Sequence, residues 1–167
     1  MPRVSVATSS GTFTIDLDPV KAPKTVLNFL AYVNAAFYSN VIFDTVVKDR
    51  GLLTGGYTAT LATKTSTKPA IDLEANNGLK NIRGAVSMYH GSAPNSATFR
   101  WAINTVDNPT FDYVDANNQG FAVFGAVASG MDVVDAISVV PTRSDLVTGL
   151  NYLPVTNILI TSATQVR

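Results

Sequence analysis

Apolar side chains recur at every second position in short bursts along this chain. That period of two constrains the fold more than any other feature. Val4 and Val6, then Phe13, Ile15 and Leu17, alternate with polar neighbours on either side of the turn Ser9-Ser10-Gly11, the pattern of a β-hairpin. Val41 to Val47 is β-branched and reads as a strand, and Leu52 to Gly56 reads as another that ends in a glycine break. Gly84 to Met88 and Phe99 to Asn104 read as strands joined by the loop Tyr89–Thr98. Phe121 to Val127 and Val155 to Thr164 complete the set, with Ile158 and Ile160 on one face and Leu159 on the other. The period changes twice. Val26, Phe29, Leu30 and Val33 fall at i, i+3, i+4 and i+7, one face of a helix from Pro23 to Ala35. Pro23 suits the first helical turn, where its missing N–H needs no partner. Met131 to Ile137 reads as a second, short helix with Val133, Val134 and Ile137 facing inward.

About eight short strands create an edge problem, because an open sheet leaves unpaired N–H and C=O groups at both sides. Closure removes it. The expected architecture is therefore mostly β, a closed or nearly closed antiparallel barrel with the two helices over its ends. With 167 residues, no linker and no internal repeat, one domain with a sizeable core is expected over residues 3–164. Residues 57–70, rich in Thr, Lys and Ala, read as a long surface loop.

Composition narrows the function. Twelve Lys+Arg balance twelve Asp+Glu, so the basic excess of a phosphate-gripping protein is missing and nucleic acid is not an expected partner. Charged residues are 14% against an apolar share of 46%, so much of the polar surface is built from Thr, Asn and Ser. No cysteine is present and His90 is the one histidine. Thiol chemistry and zinc–thiolate sites are excluded, and no metal is expected. No apolar run reaches the ~18 residues a membrane span needs. The first residues lack an apolar signal core, which fits a cytoplasmic protein or an exported one whose signal peptide is not part of this sequence.

No P-loop, dinucleotide glycine fingerprint or nucleophile elbow occurs. The oxygen-rich loop with Asp112, Asp115, Asn117 and Asn118 has the wrong spacing for an EF-hand, and turn formation explains the same residues. Asp16/Asp18 and Asp132/Asp135 are carboxylate pairs that strand and helix surfaces account for.

Several stretches, taken in order, resemble the cyclophilin-type peptidyl-prolyl isomerases, and among them the bacterial periplasmic kind. Lys21-Ala22-Pro23, Asn28-Phe29, Tyr32-Val33-Asn34 and Phe37-Tyr38 are similar to that family's first helix and its exit. Phe43 with Val46-Val47 and Gly55-Gly56 resembles the strand pair that carries its arginine. Glu74 to Gly84, Ser96-Ala97-Thr98 with Ile103-Asn104, Phe121 to Gly125 and Gly130 to Ser138 complete the likeness over residues 3–164. The resemblance implies an eight-stranded barrel with two helical caps, which agrees with the reading from periodicity. It also implies isomerisation of X–Pro bonds in polypeptides without a cofactor, a monomer, and a periplasmic or exported setting.

The matched site positions depart from the family pattern. The family's arginine, two residues after the strand phenylalanine, is Thr45 here. The pocket phenylalanine and methionine fall near Gly51 and Leu52, and the glutamine before Gly-Gly is Thr54. The Gln-Phe-Phe strand becomes Arg100-Trp101-Ala102, so the pocket floor is Ala102. The wall positions map to Thr110, Phe111 and Phe121, and the small residues beside the groove map to Tyr89, His90 and Gly91. Arg100 and Ala102 are two apart on a strand and share a face. Arg100 is therefore the expected replacement cation, with Leu52, Thr54, Tyr89, His90, Ala102, Phe111 and Phe121 as the substrate-binding set. Arg50 is a weaker candidate because it sits at an insertion.

Three functions compete: an isomerase of reduced or altered activity, a proline-peptide binding module without turnover, and an interaction protein whose groove is filled by Tyr89 or Trp101. Cyclosporin is expected to bind poorly, since the arginine, phenylalanine and tryptophan it leans on are absent from their matched positions.

Overall fold

The computed structural model describes residues 1–167. The strands are β1 (Arg3–Thr8), β2 (Gly11–Leu17), β3 (Val41–Val47), β4 (Gly51–Thr58), β5 (Ala85–Met88), β6 (Trp101–Asn104), β7 (Ala122–Ser129), β8 (Thr142–Arg143), β9 (Leu153–Pro154) and β10 (Leu159–Gln165). The helices are α1 (Pro23–Asn34) and α2 (Met131–Ser138). Eight strands close into an antiparallel barrel in the order β1-β10-β3-β4-β6-β5-β7-β2, and β8 pairs with β9 outside it. The hairpin register sets Val4 opposite Ile15 and Val6 opposite Phe13, so the apolar set of both strands enters the barrel.

The period-two segments become strands because one face of each is buried. Val4, Val6, Phe13, Ile15 and Leu17 are all fully buried. At the centre Phe29 of α1 meets Trp101 edge-on at 5.6 Å and Phe124 at 5.1 Å between ring centroids. Aromatic pairs in such geometry add about 0.5–1.5 kcal/mol beyond their burial. Val134 and Ile137 of α2 join the same core.

Several boundaries differ from the sequence reading. β6 begins at Trp101 rather than Phe99, which leaves Arg100 just before the strand instead of on it. The last strand begins at Leu159 rather than Val155, because Pro154 pairs instead with Thr142 in the two-residue ladder β8–β9. Tyr57 and Thr58 belong to β4, and the surface loop begins after them. That loop packs beside α1: Ser66 Oγ lies 2.9 Å from the Tyr32 hydroxyl, and Lys64 Nζ sits 4.2 Å over the Phe37 ring.

The first turn of α1 has no local side-chain cap. Its free N–H groups are satisfied from far along the chain. Glu74 accepts from Lys24 N at 3.1 Å, Thr25 N at 2.8 Å and Thr25 Oγ1 at 2.7 Å. A carboxylate there also suits the positive end of the helix dipole. Replacing Glu74 by Ala is expected to lower stability by about 1–2 kcal/mol, read as a lower urea midpoint at unchanged slope.

Candidate functional site

Barrel closure puts alternate residues of β3, β4, β6 and β5 on the outer surface. The register pairs Thr45 with Leu53, Leu53 with Ala102, and Ala102 with Ser87. This cross-strand row, short at Thr45, Ala102 and Ser87, floors a cavity of about 310 Å³. Trp101, one residue before Ala102, points the other way and is fully buried. Three rings, Tyr89, Phe121 and Phe111, form the cavity's aromatic wall. Tyr89 stacks on Phe121 at 6.0 Å and 13°, and Phe111 meets Phe121 edge-on at 5.5 Å and 87°. The cavity is therefore open, with Tyr89 as a wall and Trp101 in the core.

Arg50, from the turn between β3 and β4, also lines the cavity, with its guanidinium carbon 5.6 Å from the centre of the Phe111 ring. It forms no ion pair. Its main chain is held by a buried asparagine network. Asn108 Nδ2 donates to Arg50 O at 2.8 Å and to Asn104 Oδ1 at 2.8 Å, and Asn104 Nδ2 donates to Asn81 Oδ1 at 3.1 Å. Asn81 Nδ2 in turn donates to Phe111 O at 2.9 Å. One network thus fixes the backbone at both the cation and the wall, and buried amides are stable only when so paired.

Arg100 stands on the outer face but does not line the cavity. Its Nη2 donates to Asp44 Oδ1 at 2.5 Å, and its guanidinium carbon lies 5.1 Å from the centre of the Tyr89 ring. The β3–β4 register is irregular on both sides of Phe43. Val41 through Asp44 are buried without a break, which brings Asp44 inside. Gly56 makes room: a Cβ there would lie 2.9 Å from Arg100 Nε and 3.1 Å from Asp44 Oδ2. Burial pushes the Asp44 carboxyl above the usual carboxylate range, opposed by the charge of Arg100 and by hydrogen bonds from Thr45, Gly56 and Arg100.

A family model described as cyclophilin type peptidyl-prolyl cis-trans isomerase/CLD matches residues 3–165. A peptidyl-prolyl cis-trans isomerase of Streptomyces antibioticus is 41% identical over 98% of this chain and 98% of its own. The chain belongs to the cyclophilin-type isomerase family. Peptidyl-prolyl cis-trans isomerase B of Escherichia coli is 43% identical over 83% of this chain and 85% of its own. A cyclophilin-type isomerase of Cryptosporidium parvum, solved in the presence of the dipeptide Ala-Pro, shares the fold. Its TM-score is 0.79 at 22% identity, over 99% of both chains.

In this cyclophilin-type chain the cavity gathers Leu52, Tyr89, Ala102, Phe111 and Phe121 of the expected set, together with Thr45. Three expected residues lie elsewhere. Thr54 is fully buried and donates to Ile42 O at 2.7 Å. His90 sits behind the wall, 4.7 Å from the centre of Phe121, with Nε2 2.7 Å from Gly120 O and Nδ1 2.7 Å from Gly91 O. Arg100 is drawn to Asp44, because one face of a strand continues past the end of the cavity. Arg50, the weaker candidate from sequence, lines the cavity. Its place depends on the 47–51 turn, which periodicity does not define. The acidic side chains outside the cavity serve structure. Asp16 holds Arg3 through contacts of 2.6 and 2.7 Å, Asp135 holds Arg83 at 2.8 and 2.7 Å, and Asp115 Oδ1 accepts from Asn117 N and Asn118 N.

Arg100→Ala leaves the Asp44 carboxylate buried without its cation. The variant is expected to lose about 3 kcal/mol at neutral pH, the lower end for a broken buried pair because Arg100 is 25% exposed. The sign with pH follows from the raised pKa of Asp44. Stability from such a group is fully present below its unfolded value of 3.8 and is lost as pH rises through the higher folded value. Without Arg100 that value rises further, so the gap between variant and parent narrows as pH falls toward 4. Urea titrations across pH 4–7 measure it.

Proposed function

We propose that this protein catalyses cis–trans isomerisation of X–Pro bonds in polypeptides at the cavity on β3, β4, β6 and β5, with a slower rate than a site with an arginine at position 45 would support. The observation that carries this reading is an apolar cavity of about 310 Å³ with one unpaired guanidinium, Arg50, at its edge. Relatives named peptidyl-prolyl cis-trans isomerases at 41–43% identity support it.

The X–Pro bond turns over a barrier of about 18–20 kcal/mol, because the partial double bond loses resonance as it twists. Charge returns to the nitrogen in the twisted state. A donor held near that nitrogen or the neighbouring carbonyl binds the twisted form better than either planar form, which is what lowers a barrier. The apolar wall takes the proline ring out of water and leaves the bond beside the donor. In this reading Arg50 is the donor, while Arg100 is a positioning residue that steadies Tyr89 from the far side. Thr45 offers a single uncharged hydroxyl, which already bonds Asp44 Oδ1 at 3.1 Å. That is the physical ground for altered activity, and the loss of charge at Thr45 and of a ring at Ala102 is the ground for weak cyclosporin binding. No helix is long and apolar enough to cross a membrane, and we place the activity on exported polypeptides in the periplasm.

Magnetisation-exchange NMR on a short X–Pro peptide tests the reading directly. Faster cis–trans exchange with the protein present is the expected result. Shifted peptide resonances with unchanged exchange would replace it by a non-catalytic proline-peptide binding module. Arg50→Ala is expected to reduce the enhancement about 10²-fold, by analogy with removal of an oxyanion donor. Arg50→Lys should recover only part, since the ammonium lacks the planar fork.

A further inference from the structure

The cavity is too large for a proline ring alone. At about 310 Å³ it is roughly twice the ~150 Å³ apolar cavity that holds one benzene ring. A pyrrolidine ring is smaller than benzene, so proline by itself leaves more than half the space to water. That water would lie over Leu53 and Ala102 and against the aromatic wall, with polar side chains only at Thr45, Arg50, Ser87, Asn104 and Tyr89 to hydrogen-bond it.

The shape of the space follows from the cross-strand row. Ala102 ends at Cβ, and its ladder partner Ser87 adds one hydroxyl, so the floor is low across two adjacent strands. Phe121 stacks with Tyr89 and stands nearly perpendicular to Phe111. A second ring entering beside proline finds a low floor beneath it and aromatic surface at its side.

We infer that the preferred substrates are segments in which an aromatic residue directly precedes the proline, with both rings held in this one cavity. The inference rests on the isomerase reading and names its substrate class. The geometry of the bond supports it. Across a cis peptide consecutive Cα atoms are about 2.9 Å apart, against 3.80 Å in trans. An aromatic side chain before a cis proline folds against the pyrrolidine ring and makes a compact two-ring unit. In trans the two rings diverge, and one of them leaves the cavity. A cavity for two rings therefore holds the folded-together pair from the cis form into the twisted state, which raises the rate on dilute peptide, and an alanine before proline leaves the second half unfilled.

The test uses the full chain and a series of peptides Ala-Xaa-Pro-Ala with Xaa as Ala, Leu, Phe or Trp. Both catalysed exchange and peptide binding are measured by NMR. Catalysed exchange at least tenfold faster for Phe and Trp than for Ala is the expected result. Ala102→Phe and the milder Ala102→Leu both raise the floor and should bring the Phe-to-Ala ratio toward one. Their folded state is checked by amide shifts, and the parent series stands without them. Equal acceleration across the series overturns the aromatic preference while leaving the isomerase reading intact. No acceleration of any peptide overturns the isomerase reading, and binding then decides the preference. Tighter binding of the Phe and Trp peptides upholds it, and equal or absent binding removes it as well.

Discussion

Closure of the strand ladder is the constraint on which the rest of this molecule depends. Once β10 pairs with β1 and β7 with β2, every barrel strand has one face inside and one outside, and alternation along the chain becomes a rule about depth. Trp101 and Ala102 are neighbours in sequence, yet one fills the centre of the core and the other floors the outer cavity. The site is the outside of the same four strands whose inside is the aromatic core. A change of register by one residue would exchange the two.

The cavity's rim follows a second logic, in which polar groups are held by burial rather than by exposure to water. Asp44 anchors Arg100, Arg100 lies over Tyr89, Tyr89 stacks on Phe121, Phe121 meets Phe111, and Arg50 lies over Phe111. The chain of contacts has a guanidinium at each end. One is fixed on a buried carboxylate and so acts on the wall. The other has no carboxylate partner and lines the cavity. Their roles are set by what stands behind them, not by residue type.

Sequence periodicity revealed the barrel because closure makes burial periodic. It also assigned Trp101 and Ala102 to opposite faces, and the family resemblance located five of the cavity's lining residues. What it could not reveal lies where the period breaks. Asp44 enters the interior through an irregular stretch of β3, so no alternation rule identifies it as the partner of Arg100. Arg50 sits in a four-residue turn whose direction is fixed by Asn108 and Asn104, residues that look like ordinary polar positions in a one-dimensional reading. The strands β8 and β9 are two residues each, too short to carry any period. Thr54 and His90 adjoin the lining residues Leu53 and Tyr89, but their hydrogen bonds to Ile42 O, Gly91 O and Gly120 O turn them toward the scaffold.

The pairing of β1 has a consequence for how the polypeptide is made. One edge of β1 is covered by β2 within a few residues, since Thr8 pairs with Gly11. The other edge meets residues 160–165. During synthesis at about 5–20 residues per second, roughly 10–30 s separate the emergence of β1 from that of its second neighbour. Throughout that interval the nascent hairpin shows an unpaired strand rich in valine. A cyclophilin-type chain therefore begins its own life with an open edge, which closes only when the ribosome delivers the strand that seals it.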